Sequence, residues 1–542
     1  MTGTRIYSAQ RILTMNPSMP EATHIAVRDG RVLGVGPLEA LEQWGDHTLD
    51  DRFREKIIMP GFVEGHSHAL EGAMWNYLYL GYFDRHDPDG ALHPGAQSIS
   101  AVQERLGEHL ATRGDDGPVI AWGFDPVYFE GERLERRHLD QVTASTPVVV
   151  IHASLHCMTA NSAMMRWTGL DRQPDIEGVM LGADGSPNGE LQEMAVMHAV
   201  FDTVGVNLFE TVGEAETLWR YARVARRTGV TTVTDLFNPL TDPIIDALRE
   251  VTAQEAFCVR LVPAMSAMAW EPEAGIERVT RAREQGNERL HFGLVKMMTD
   301  GSIQGYTARL KWPYYVNGAP NGLWNAPPEM LKAMLHAYHQ AGLHLHIHTN
   351  GDEAIELMLD AIEEAQSLWP RADHRHTLQH CQIIDHAQLR RAARLGVCLN
   401  MFANHLYYWG DVHREKTLGH ERAQRLEPLA TASRLGIPLA MHCDAPVTPM
   451  APLFTAWCSV NRRTASGEEL GPEEALDVPR ALHAITLGAA YTLRMDHLVG
   501  SLEVGKWADM AVLDEDPLRA GAEALKDIPV HATVLGGVVH QE

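Results

Sequence analysis

The stretch Ile57-Ile-Met-Pro60-Gly61-Phe-Val-Glu64-Gly65-His66-Ser-His68 decides how the chain is read. Its apolar start reads as a strand over 57–64, with Met59-Pro60-Gly61 turn-like inside it. Its end sets two histidines two residues apart. In extended backbone such residues face the same side, so His66 and His68 can grip one ion. Histidines also recur at this spacing by chance on surfaces and in cores. Directly after an apolar strand, the pair reads as a metal site at the strand's end.

Seven further short apolar runs resemble the first, at 230–236, 259–265, 293–298, 343–348, 377–380, 397–401 and 438–441. Helical periodicity follows most of them, at 243–256, 329–341, 352–368, 386–395, 421–435 and 479–493. Eight such repeats predict an α/β fold, a parallel (β/α)8 TIM barrel over 59–497 with functional groups at the strands' C-terminal ends. The gap between 64 and 230 is too long for one crossover. An α/β insert is therefore expected at about 70–225, with strands at 119–122 and 148–152. Residues 1–58 and 498–542 are short β-like runs, which predicts a small β-sandwich domain built from both termini.

Composition narrows the function. The 542 residues are 45% hydrophobic and carry a formal charge of −25 with no basic block, so nucleic acid and anionic membranes are not expected partners. No apolar run reaches spanning length, and residues 1–16 lack a signal-peptide core. Six scattered cysteines form no C-x-x-C pair, which fits a reducing cytoplasm. A small-molecule substrate is expected, and a homo-oligomer is left open.

The chain has seven lysines (56, 296, 311, 332, 416, 506, 526) and otherwise uses arginine as its cation. Lys296 sits inside the apolar run Phe292-Gly-Leu-Val-Lys296-Met-Met-Thr-Asp300, where a buried ammonium is costly and its pKa drops. Two readings stand: a lysine reaching a carboxylate such as Asp300, or a neutral amine that takes up carbon dioxide and bridges two metals as a carbamate. The fifth strand presents His344, His346 and His348 on one face. His348, nearest the C-terminal end, is the expected ligand, and the other two are core or supporting groups. The sixth strand ends in His380, and the eighth leads to Asp444, a residue type that can bind metal and move protons.

These residues resemble the amidohydrolase superfamily. Finer stretches are similar to its branch typified by N-substituted formamide deformylase: residues 59–68, Leu155-His156-Cys-Met-Thr-Ala-Asn161-Ser-Ala163, Lys296 to Ser302, His348-Thr-Asn-Gly-Asp352, His380-Cys-Gln-Ile-Ile-Asp385, Asp444-Ala-Pro446 and residues 500–509. The resemblance covers nearly the whole chain and supports the pairing of the termini. It implies a divalent metal, expected to be zinc, as one or two ions. His66 and His68 would hold the first, carbamylated Lys296 would bridge, His348 and His380 would hold the second, and Asp444 would ligate the first and hold the attacking water. Branch members often carry Ser-Arg-Thr-Ala after the lysine motif; here Gly305-Tyr306-Thr307-Ala308 stands instead.

The implied reaction is hydrolysis of a non-peptide C–N bond by a hydroxide generated at the metal site, with Asp444 passing a proton to the leaving nitrogen. Deamination is the nearest rival. Deaminases of the superfamily generally lack the strand-4 lysine and place a glutamate three residues after the strand-5 histidine, where this chain has Gly351. A metal-free scaffold is the remaining alternative, against six filled ligand positions. Aromatic residues after strand 4 (Tyr306, Trp312, Tyr314, Tyr315) and strand 7 (Tyr408, Trp409) either wall an apolar or aromatic substrate or pack the insert. His405 reads as substrate-polarising or as loop packing, and His156 and Asn161 as substrate-facing or structural. Asp235 reads as a hydrogen-bond partner rather than a catalyst.

Overall fold

The computed structural model describes residues 3–541 apart from 130–132, 207 and 209. Eight parallel strands form one curled sheet in strictly sequential order: Phe62–Val63, Val230–Asn238, Arg260–Ser266, Leu294–Met298, His344–Thr349, Thr377–His380, Cys398–Met401 and Leu439–Met441. Its two ends meet where the chemistry lies: Asp444 N donates to His66 O (3.1 Å) and His68 N to Ala445 O (2.8 Å).

The expected first strand splits. Ile57–Pro60 joins a second sheet, and Phe62–Val63 joins the parallel one. Across the break the hydrogen bonding changes partner: Gly61 N donates to Asp509 O (2.9 Å) and Phe62 N to Gly229 O (3.0 Å). Gly61 is needed there because a Cβ would lie 2.0 Å from Thr231 Oγ1. The second sheet is mixed and draws on both termini. Ile57–Pro60 lies between Met510–Leu513, antiparallel, and Thr4–Leu13, parallel. All eight of its strands are hydrogen-bonded into one continuous sheet.

Helices cover the outside of the parallel sheet. Asp352–Leu368 buries Ile355, Met358, Leu359 and Ile362, the spacing of one helix face. Each such side chain, fully buried, stabilises the fold by roughly 1.5–3 kcal/mol. Asp385 caps His386–Leu395 in a capping box with Gln388. Pro272–Arg283 is, like Ala215–Arg227 and Pro452–Asn461, a helix outside the runs that periodicity predicts. Its buried face is only Gly275, Val279 and Ala282, and a Cβ on Gly275 would meet Tyr338 Oη at 2.6 Å. The predicted helix at 421–435 is two short ones, His420–Ala423 and Leu429–Arg434. That at 479–493 breaks into Val478–Ala484 and Leu487–Thr492. The stretch after strand 7, read as a loop, is the helix Asn404–Val412.

Between the first two parallel strands the chain builds a six-stranded sheet, in the order Val179–Leu181, Pro187–Gln192, Cys157–Ala160, Val148–His152, Val119–Phe124, Leu78–Tyr79. The turn that carries His156 and the residue Glu193 both sit at ends of these strands. Among the described residues no helix is long and apolar enough to cross a membrane.

Candidate metal centre

The strand ends bring His66, His68, Lys296, His348, His380 and Asp444 to the wall of one cavity. Lys296 Nζ lies 3.1 Å from His66 Nε2. Asp444 Oδ1 lies 3.4 Å from His66 Nε2 and 3.2 Å from His68 Nε2. On the other side, His380 Nε2 is 3.1 Å from His348 Nδ1, and His380 Nδ1 is 3.7 Å from Asp444 Oδ2. His380 (φ +67°) and Asp444 (φ +55°) both adopt left-handed backbone, uncommon for side-chain-bearing residues and concentrated at functional sites.

Supporting groups fix the rings. Gln379 Oε1 accepts from His66 Nδ1 (2.8 Å) and from Asn400 Nδ2 (2.9 Å). Gln379 Nε2 donates to His346 Nδ1 (2.6 Å), whose Nε2 donates to Thr492 O (2.9 Å). This chain leaves the lone pair of His66 on Nε2, facing Lys296 and Asp444. His348 Nε2 donates to Gly301 O (3.1 Å), which leaves its Nδ1 lone pair facing His380. Lys296 does not pair with Asp300. The carboxylate of Asp300 accepts three backbone N–H groups instead, from Asn350 (3.0 Å), Gly351 (2.8 Å) and Arg309 (3.0 Å).

The donors fit a divalent cation. Burial first, then the Lys296 charge, pushes His66 well below the ordinary imidazole value; burial and neighbouring imidazoles do the same to His380, and burial and His156 to His348. Burial brings Lys296 down to about 7. Burial alone would raise Asp444, but the neighbouring His68, His442 and Lys296 hold it below the usual carboxylate range. Neutral imidazoles around an ionised carboxylate are the protonation states that metal binding requires. Among the described residues, buried Asp444 Oδ1 accepts no aligned hydrogen bond, His68 Nε2 standing 3.2 Å away without one. His66, His68 and Asp444 each bring one donor atom within 4.8 Å of the others, as do His66, His380 and His442.

His442 was not anticipated. It stacks on His66 (centroids 4.7 Å) and Phe402 (4.7 Å), and neither of its ring nitrogens has a partner among the described residues. Its signal was available, because His442 and Asp444 are two apart, as His66 and His68 are. Glu64 is a further buried acid beside the site. It accepts from Cys443 N (3.1 Å) and Cys443 Sγ (3.0 Å) and so ties the first strand to the eighth.

Leu70, Leu155, Val212, Phe237, Met298 and Val447 supply the apolar part of the cavity wall, with His156 among its polar groups. Three expected substrate contacts lie elsewhere. Tyr306 packs on Tyr315 (5.2 Å) under Arg133, His405 is buried between Gln382 Nε2 (2.7 Å) and His413 Nε2 (3.2 Å), and Tyr408 lines a neighbouring aromatic pocket. The helix Asn404–Val412 explains the last two, since it sets Tyr408 in the packing between strand 7 and the insert and buries His405 against Phe402 and Trp409. Asn161 is structural: it caps Ser162–Thr168 through Met164 N (2.9 Å) and accepts from Val148 N (3.0 Å). Asp235 accepts from Ala69 N (2.9 Å) and Asn238 Nδ2 (2.7 Å), and so holds the loop that follows His68.

A parallel sheet whose strand ends gather histidines, a lysine and an aspartate is the framework of a metal-dependent hydrolase. A model of the amidohydrolase family, Amidohydro_3, matches residues 54–540, and the chain belongs to that family. It is 27% identical to the Arabidopsis thaliana protein LONG AFTER FAR-RED 3 over 97% of this chain and 89% of that one. It is 26% identical to the putative amidohydrolase YtcJ of Bacillus subtilis (98% of each) and 24% identical to N-substituted formamide deformylase of Arthrobacter pascens (90% and 89%). Among solved structures, an uncharacterized metal-dependent hydrolase from Pyrococcus horikoshii shares the fold with a TM-score of 0.73, at 23% identity over 96% of this chain and 99% of that one.

Proposed function

We propose that this amidohydrolase cleaves a non-peptide, amide-type C–N bond in a small, apolar or aromatic substrate. The observation that carries the reading is the convergence of six side chains from four separate strand ends and the lysine strand, with Lys296 Nζ 3.1 Å from His66 Nε2 and His348 Nδ1 3.1 Å from His380 Nε2. His66, His68 and Asp444 would hold one divalent ion, zinc by the chemistry of an imidazole–carboxylate set. His348 and His380 would hold a second. Lys296 would bridge the two as a carbamate, formed when its neutral amine adds carbon dioxide and releases one proton. When bound, such ions supply Lewis acidity and a hydroxide at neutral pH.

The remaining work falls to the chain. Asp444, kept ionised, takes the proton of the attacking water and delivers it to the leaving nitrogen, since an amide anion leaves poorly. Leu70, Leu155, Val212 and Phe237 exclude water from the reacting bond. Likeness to a relative named N-substituted formamide deformylase supports an amide substrate. Deamination is disfavoured at Gly351, where a Cβ would lie 1.8 Å from Arg309 O, leaving no room for the glutamate that deaminases of the superfamily generally place there.

The test is a screen of formamides, anilides, carbamates and cyclic amides against zinc-loaded enzyme, with ammonia release from aminopurines and aminopyrimidines as the competing assay. Amide turnover lost in Asp444→Asn is the expected result. Ammonia release without amide turnover would overturn the reading.

A further inference from the structure

The insert sends one side chain into the cavity and fixes it more firmly than packing requires. His156 lines the cavity together with the six side chains above, and its ring centre is 5.3 Å from that of His348. Glu193, at the start of the helix Met194–Val204, is joined to it twice. Glu193 N donates to His156 O (2.7 Å), and His156 Nδ1 donates to Glu193 Oε2 (3.0 Å). Both joints are held in uncommon backbone: Leu155, just before the histidine, has φ +59°, and Glu193 itself has φ +67°. Strain of this kind persists only where surrounding structure enforces it, and it gathers at functional sites.

The enforcing contacts come from the loop that supports His348. A Cβ on Gly301 would lie 2.5 Å from Glu193 Oε1 and 2.0 Å from Thr307 Oγ1, so a glycine is what lets the glutamate press against this loop. The carbonyl of the same Gly301 accepts from His348 Nε2 (3.1 Å) and Asn350 Nδ2 (2.8 Å). Glu193 Oε1 is buried without a hydrogen-bond partner among the described residues. On His156, Nδ1 is taken by Glu193, and Nε2 is the ring nitrogen left for the cavity.

We propose that His156 contacts the scissile amide group of the substrate through Nε2, with Glu193 as the positioning residue that aims it, so that the insert completes the active site. The inference rests on the amide-hydrolase reading above and adds a substrate requirement. The amide must be small enough around the C–N bond for its polar edge to reach His156 while its carbonyl faces the opposite wall.

The experiment compares His156→Ala, Glu193→Ala, Glu193→Gln and the double variant His156→Ala/Glu193→Ala as metal-loaded full-length enzymes. Metal content and Tm should stay at parent values, while kcat of His156→Ala falls about 10–100-fold, the loss of one directed hydrogen bond in a water-excluded site. Glu193→Ala should fall as far, and the double variant no further, because the two act as a unit. Glu193→Gln should remain within about threefold of parent, since its amide oxygen still accepts from Nδ1. Rates within twofold of parent in His156→Ala, or losses that track Tm or metal content, would overturn the assignment. If the parent hydrolyses no amide, the functional reading fails by itself, and calorimetric binding of benzohydroxamate decides the pair. About tenfold weaker binding to His156→Ala upholds the contact, and equal affinity overturns it.

Discussion

Lys296 Nζ and His66 Nε2 lie 3.1 Å apart although residue 66 follows the first strand of the parallel sheet and residue 296 lies in the fourth. The pairing works because Gln379 accepts from the other nitrogen of the ring and so keeps the His66 lone pair on Nε2, while burial pushes His66 well below the ordinary imidazole value and Lys296 down to about 7, favouring the neutral form of each.

That neutrality gives the first prediction. Lys296→Ala should lose most bound metal and activity, and short carboxylates such as formate or propionate should restore part of both by standing in for a carbamate. Metal analysis and rate assays with and without added carboxylate measure this; full activity in the unsupplemented variant rules the carbamate out.

Asp444→Asn separates binding from proton transfer. An amide still offers one oxygen to a metal but cannot take up a proton, so metal content should stay substantial while kcat drops about 10²–10⁴-fold. An unchanged kcat removes Asp444 from proton transfer.

Gln379 is the hinge of the tautomer chain through His66 and His346. In Gln379→Leu the lone pair of His66 is no longer directed, and metal affinity should weaken about 10–100-fold. Competitive titration with a chelating dye reads the change, and affinity equal to parent would show that the ring is oriented by packing alone.

Glu427 provides a pH signature away from the metal centre. Burial first, opposed by Arg462 and the backbone of Phe402, raises its carboxyl from 4.5 to about 8. The folded state therefore binds a proton that the unfolded state has released between these values. The stability it contributes is full below about pH 4.5 and disappears as pH rises through about 8. Glu427→Gln mimics the protonated acid and should flatten the fall of Tm between pH 5 and 8. A parent-like slope in that variant would contradict the assignment.

Substrate preference should follow the cavity wall rather than the outer aromatics. Phe237→Ala should shift relative kcat/KM among amides of different acyl size by about tenfold, on the scale of hydrophobic pocket contacts. Tyr306→Phe should leave the ranking unchanged, and a reordered ranking there would place Tyr306 back at the substrate.

Much of this was legible in the chain because strands that end in polar residues declare both their direction and their mouth. His66, His348, His380 and Asp444 all stand where an apolar run stops, and Lys296 stands out in a chain that otherwise uses arginine. What stayed hidden depended on partners distant in sequence. Glu193 gains meaning only when it closes on His156, and Gln379 only between His66 and His346. The break at Gly61 looked like one strand because the residues on both sides are apolar; the switch of sheet is set by Asp509 and Gly229, far along the chain. His405 and Tyr408 carry the composition of a pocket loop, yet their backbone is helical, which buries His405 and turns Tyr408 toward a neighbouring pocket rather than the metal-site cavity.

The most direct test is a crystal structure of zinc-loaded protein with anomalous data collected at the zinc edge. Anomalous density among His66 Nε2, His68 Nε2 and Asp444 Oδ1, with a further peak beside His348 Nδ1 and His380 Nε2 and a carboxylated Lys296 between them, is the expected result. Zinc bound elsewhere, with Lys296 Nζ still in contact with His66 Nε2, would contradict a metal centre at these strand ends.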